Sequence, residues 1–98
     1  SKCFGVNVLP ATAHDLSGHF AGKPVPGLTP RFDATGGAPK LSGALAFFDC
    51  TIDRAIEVND HTLVIGAVRA CTQSEAPPLV FYASRFHDLG TELRSPAP

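Results

Sequence analysis

Val58-Asn59-Asp60-His61-Thr62-Leu63-Val64-Ile65-Gly66-Ala67-Val68 is the stretch on which the fold turns. From Thr62 to Val68 it is apolar on both faces, the pattern of a central strand in a barrel or sandwich core. Gly66 marks a bend within it. Asn59-Asp60 is turn chemistry, so this strand is expected to run antiparallel to the one before it. That earlier strand is read from Leu41 to Asp53. Phe48, Cys50 and Ile52 share one of its faces and Phe47, Asp49 and Thr51 the other, so both are partly covered.

Toward the N-terminus, Phe4, Val6 and Val8 alternate with Gly5 and Asn7, which predicts a strand buried on one face and stopped by Pro10. Thr12-Ala13-His14-Asp15 reads as a capping-box-like helix start with Thr12 at the N-cap. Ala13, Leu16 and Phe20 then form the inward face of a short helix that Gly22 ends. From Lys23 to Pro39 the chain is rich in proline and glycine, which predicts an irregular functional loop or lid over a site or against a partner. Toward the C-terminus, Leu79-Val80-Phe81-Tyr82 is the last expected strand, and the tail from Arg94 to Pro98 is expected to be loose. The sum is a mainly β chain, a barrel or sandwich with one short helix.

With 98 residues there is room for one domain, and 44% hydrophobic against 17% charged residues describes a folded sheet protein. A net charge of -1, without a local basic cluster, argues against nucleic acid as a partner. No apolar run approaches the roughly 18 residues of a membrane span, and Ser1-Lys2-Cys3-Phe4 lacks the apolar stretch of a signal peptide. The expected location is the cytoplasm, with no membrane partner. Cys3, Cys50 and Cys71 form no close pair and read as reduced, small buried hydrophobes. The abrupt start inside a strand reads as a piece of something longer.

Candidate chemistry is sparse. His14 and His19 are not spaced as a metal pair on one helix face and read as solvent-facing. A zinc site from Cys50, His61 and Cys71 has no short paired spacing behind it, and a cysteine nucleophile is weak in apolar strands. Ser17 and Ser42 suit a cap, a phosphate contact or plain surface hydrogen bonding. Lys23 and Arg31, beside the long loop, suit an anionic cofactor or simple solvation. From the residues alone, His61 is a turn histidine held by Asp60.

Five blocks taken in order change that weighting. They are Phe4-Gly5-Val6-Asn7-Val8-Leu9, Leu16-Ser17-Gly18-His19-Phe20-Ala21-Gly22, Pro39-Lys40-Leu41-Ser42-Gly43-Ala44-Leu45-Ala46, Asn59-Asp60-His61-Thr62-Leu63-Val64-Ile65-Gly66-Ala67-Val68 and Pro78-Leu79-Val80-Phe81-Tyr82. No block is specific alone, but the ordered set, over most of residues 4 to 89, resembles the flavin reductase-like family, the reductase partners of two-component flavin monooxygenases. The resemblance implies a split β-barrel of the Greek-key, FMN-binding type and a homodimer with flavin at or near the subunit interface. It implies hydride transfer from NADH or NADPH to FMN or FAD, with a monooxygenase receiving the reduced flavin. It also implies that residues 1–98 are the C-terminal portion of one such domain. Family members carry about as much chain again upstream, including a loop that holds much of the isoalloxazine and phosphate, so barrel and site are expected to be incomplete here.

Carried over by position, Phe20 and Ala21 match a Phe-Ala pair whose backbone approaches the flavin, and Ser17 lies in the same block. Asp60, His61 and Thr62 match a turn whose histidine stands near the flavin ring and the nicotinamide, with Asn59 where glycine is usual. Tyr82, Arg85 and Phe86 fall where the closing strand and its sequel line the pocket. His61 is the expected catalytic residue, and no metal is implied. Hydride transfer needs two rings held in register, and an imidazole suits it by hydrogen-bonding the dinucleotide or offsetting the charge of reduced flavin. Two other readings stand beside this one: a split-barrel module that binds flavin without turnover, and a dimerising remnant.

Overall fold

A computed structural model describes residues 2–34 and 36–93. Its elements are β1 (Cys3–Val8), a 3-10 turn (Ala11–Ala13), α1 (His14–Phe20), β2 (Phe32–Asp33), β3 (Lys40–Leu41), β4 (Ala46–Val58), β5 (His61–Gln73), β6 (Val80–Tyr82) and β7 (Arg85–His87). The molecule is mainly β. The main sheet is antiparallel with order β1-β4-β5, while β2-β3 and β6-β7 form separate two-stranded sheets.

The β4–β5 hairpin is the backbone of the fold. It pairs from Ala46↔Gln73 to Val58↔His61, with register irregularities between Asp49 and Cys50 and between Ile52 and Arg54. Asn59 takes φ 55 in the closing turn, a left-handed conformation that asparagine tolerates better than most residues. Both strands outrun the expected ranges: β4 continues to Val58, and β5 runs from His61 to Gln73. The strand read from Leu41 to Asp53 is in fact two elements, because the Ser42-Gly43 turn, with Gly43 at φ 80, separates β3 from β4.

β1 pairs with β4 from Cys3↔Thr51 to Val8↔Ala46. Gly5, Asn7, Phe47 and Asp49 therefore share the sheet face on which Ala38, Leu41 and Ala44 complete a small core with Phe47, all buried. The opposite face carries Phe4, whose ring lies over Gly66: a Cβ there would sit 2.6 and 2.7 Å from Phe4 Cζ and Cε1. Gly66 is thus a packing position under an aromatic ring. Val6, expected to be buried, is 43% exposed, whereas Asn7 on the supposedly polar face is half-buried.

Three other expectations are corrected. Thr12 lies inside the 3-10 turn, and the N-cap of α1 is Ala13 without a side-chain cap bond, because the turn supplies the helix entry that a capping box otherwise would. Gly22, at φ 91, does end α1, and Lys23 N donates to Gly18 O at 3.0 Å in the six-residue bond of a Schellman terminus. The strand ending at Tyr82 is followed by a further one, β7, across a turn at Ala83-Ser84. Of the cysteines, Cys50 is buried and Cys3 half-buried, but Cys71 is exposed.

The largest departure concerns β5. Its apolar sequence predicts a central strand, yet it is an edge strand whose residues are exposed apart from half-buried Gly66. Beyond Thr51 and Ala67, β4 and β5 form a two-stranded arm that β1 does not reach. On that arm Ile56 pairs with Leu63, Arg54 with Ile65 and Val58 with His61, so one face collects Ile56, Val58, Leu63, Ile65 and His61, with Arg54 beside Ile65. The apolar pattern is real, but among the described residues this face stays exposed. The Cα radius of gyration, 15.9 Å, exceeds the about 13 Å of a compact domain of this length. Among the described residues no helix is long and apolar enough to cross a membrane. The expected loose tail from Arg94 lies outside the described residues.

Candidate functional site

An apolar cleft of about 490 Å³ lies between α1 and the β2–β3 pair, floored by β1. Leu16, Ser17, Phe20 and Ala21 line it from the helix, Gly5, Asn7 and Leu9 from the floor, and Phe32, Pro39 and Leu41 from the far wall. The helical spacing that was read as an inward face instead leaves Phe20 at the cleft mouth, 56% exposed. Ser17, Phe20 and Ala21, three of the expected flavin contacts, are brought together here.

The far wall comes from the proline- and glycine-rich segment read as a functional loop. Asn7 ties it to the floor: its Oδ1 accepts from Leu41 N at 2.8 Å and its Nδ2 donates to Pro39 O at 3.4 Å. Gly5 lets the wall come close, since a Cβ there would lie 2.7 Å from Phe47 Cε1 and 3.0 Å from Pro39 O. His19, expected to face solvent, is half-buried and accepts a hydrogen bond through Nδ1 from Val25 N at 3.2 Å, which anchors the start of the long segment to α1. Ser42 Oγ, in the turn after β3, donates to Asp33 Oδ1 of β2 at 2.6 Å. Lys23 and Arg31 are exposed and do not line the cleft.

The remaining expected residues lie elsewhere. Asp60, His61 and Thr62 are at the hairpin tip, where His61 Nδ1 is 2.6 Å from Asp60 Oδ1. Gly5 of the cleft is in register with Asp49, and His61 with Val58, so roughly 30 Å of strand separates them along β4. Tyr82 and Arg85 face each other across the β6–β7 turn, both exposed. Phe86 joins Ala11, His14, Leu79, His87 and Asp88 around a second hollow of about 360 Å³, with the His14 and Phe86 rings 5.9 Å apart. The zinc alternative from Cys50, His61 and Cys71 fails on geometry: His61 and Cys71 stand near opposite ends of β5, roughly 33 Å apart along the strand.

Gly5, Asn7, Phe32, Pro39 and Leu41 were not singled out from sequence. A signal was present, because a glycine and an asparagine on one strand face mark a surface that another segment approaches and hydrogen-bonds.

The flavin reductase-like domain model matches residues 1–90, and the chain belongs to that family. An NADH-dependent flavin reductase, StyB, from Pseudomonas fluorescens is 38% identical over 88 residues, covering 86% of this chain and 52% of that protein. Among solved structures, the flavin reductase PheA2 superposes with a TM-score of 0.86 at 34% identity, over 93% of this chain and 60% of that one. The NADH:FAD oxidoreductase SgcE6 of Streptomyces globisporus, solved in complex with NAD and FAD fragments, superposes at 0.76 with 27% identity, over 95% of this chain and 59% of its own. These relatives identify the sheet and its hairpins as part of a split barrel. The chain spans about half the length of the curated relatives it matches.

Proposed function

We propose that the complete protein is an NAD(P)H-dependent flavin reductase, which moves hydride from NADH or NADPH to FMN or FAD and supplies reduced flavin to a monooxygenase. Residues 1–98 are the C-terminal portion of a single flavin reductase-like domain in this reading. The observation that carries it is the cleft, which gathers Ser17, Phe20 and Ala21 from the helix block against Gly5 and Asn7 of the strand block. Its lining fits an isoalloxazine ring: apolar walls for the flat faces, and Asn7 and Ser17 as polar groups for the edge. Bound there, the flavin supplies the hydride-accepting ring system, and the protein supplies shape and orientation. The printed names of the relatives, NADH-dependent flavin reductases and a reductase in complex with NAD and FAD fragments, support the same chemistry.

A homodimer belongs to this reading. His61 lies far along the strand from its own cleft, and the apolar arm that bears it lacks cover within the described chain. In the dimer the arm packs its Ile56, Val58, Leu63 and Ile65 face against a second copy, and the tip presents His61 to that copy's cleft to orient the nicotinamide. The free edge of β5 is left for further strands of the complete domain. We place the protein in the cytoplasm, where NADH is available.

The test is NADH oxidation by the complete protein with and without added FMN or FAD. Flavin-dependent oxidation is expected, together with its loss in Ala21→Trp, which fills the cleft. Flavin binding without NADH oxidation would instead identify a non-catalytic flavin module.

A further inference from the structure

The β2–β3 wall of the cleft forms its own two-stranded sheet, and among the described residues no backbone ladder joins it to β1-β4-β5. Asn7 holds one side of it, as described. Asp49 and Arg69 hold the other. Asp49 on β4 is a buried carboxylate: its Oδ2 accepts from Arg69 Nη2 of β5 at 2.9 Å, and its Oδ1 faces Ala38 N at 3.4 Å. Gly37 packs so closely that a Cβ there would overlap the Asp49 carboxylate and lie 2.9 Å from Arg69 Nη2. The next residue, Ala38, is 1% exposed, and it leads directly into Pro39 and Leu41 of the cleft.

We propose that Asp49 and Arg69 are positioning residues for the cleft: through Gly37 and Ala38 they fix the wall formed by Phe32, Pro39 and Leu41 and thereby set flavin affinity. The inference rests on the reading of the cleft as the flavin site. Arg69 holds the Asp49 carboxylate by the hydrogen bond to Oδ2, which leaves Oδ1 aimed at the loop. A wall released from this anchor is no longer organised before the ring arrives, and that loss of preorganisation falls on binding.

The experiment compares Asp49→Asn, Arg69→Ala and Arg69→Lys in the complete protein. Kd for FMN and for FAD is read by quenching of flavin fluorescence, alongside KM for flavin and kcat at saturating flavin. Arg69 is half-exposed, so Arg69→Ala is the variant expected to fold. Asp49→Asn and Arg69→Ala are expected to raise Kd and KM about tenfold, the order of the added cost of ordering a loosened wall on binding, while kcat changes less than about twofold. Arg69→Lys, which retains the charge, restores most of the affinity. A purely structural role would lower the active fraction, and hence kcat, at constant KM, and that result overturns the proposal. Ala21→Trp separates the two readings. If it leaves Kd unchanged, the cleft is not the flavin site and the positioning proposal falls with it. If it abolishes binding while folded Arg69→Ala binds normally, the positioning proposal alone is wrong.

Discussion

His61 Nδ1 meets Asp60 Oδ1 at 2.6 Å on the tip of the β4–β5 hairpin, with the two side chains 82% and 87% exposed. A pair this open contributes little to stability. Its consequence is accessibility: Asp60 engages Nδ1, and the other ring nitrogen projects where a ligand can meet it. His61→Ala is therefore expected to leave the thermal midpoint within about 2 °C of wild type. The same substitution should reduce NADH-driven turnover about tenfold to hundredfold, the loss expected for one charge-assisted hydrogen bond. Unchanged steady-state kinetics in NADH would remove His61 from the mechanism.

Leu63 stands opposite Ile56 on the aliphatic face of the arm, 53% exposed in the single chain. Contiguous apolar surface of this kind marks an interface. Leu63→Lys adds a second charge to the face that holds Arg54 and should dissociate the proposed dimer of the complete protein at micromolar concentration, read by sedimentation velocity. A variant that sediments as the wild-type dimer would show that the face is not the subunit contact.

Gly66 carries the Phe4 ring against its backbone. Gly66→Ala must displace that ring, an overpacking change of about 1–3 kcal/mol. Urea unfolding should show the loss, and Phe4→Leu in the Gly66→Ala background should recover part of it because the two sites share one contact. Strict additivity of the two substitutions would contradict the packing described.

Ala83 and Ser84 both hold positive φ, 53 and 63, in the turn between β6 and β7. Neither residue type favours that conformation, which asparagine and glycine adopt readily. Ala83→Asn combined with Ser84→Gly should raise the unfolding free energy by about 1–2 kcal/mol in chemical denaturation. A lower midpoint would mean that the strained turn is held by contacts made outside the described chain.

Local chemistry was legible wherever one residue dominated its own conformation. Asn59 announced the hairpin turn, and Gly22 the end of α1. Family membership was legible from the ordered blocks; the structure adds that Ser17, Phe20 and Ala21 line one wall of a cleft. What sequence did not reveal depends on which surfaces meet. The apolar run in β5 was read as a buried central strand because periodicity reports affinity for cover, not whether the same chain supplies it. Asn7 was read as a solvent-facing residue because alternation cannot show that a wall from residues 36–41 folds over that face. Asp49 looked like an ordinary polar member of a strand, and its burial against Gly37 and Arg69 became visible only with the register. His61 and Phe20 were expected in one site, but the strand between them places the tip far along β4 from the cleft.

Anaerobic mixing of the complete, flavin-loaded protein with NADH decides the reductase reading. Bleaching of the oxidised flavin band is predicted in wild type, slowed in His61→Ala and absent in Ala21→Trp, which has no flavin to reduce. A wild-type protein that holds flavin, yet keeps the oxidised band unchanged in excess NADH and in excess NADPH, would contradict it.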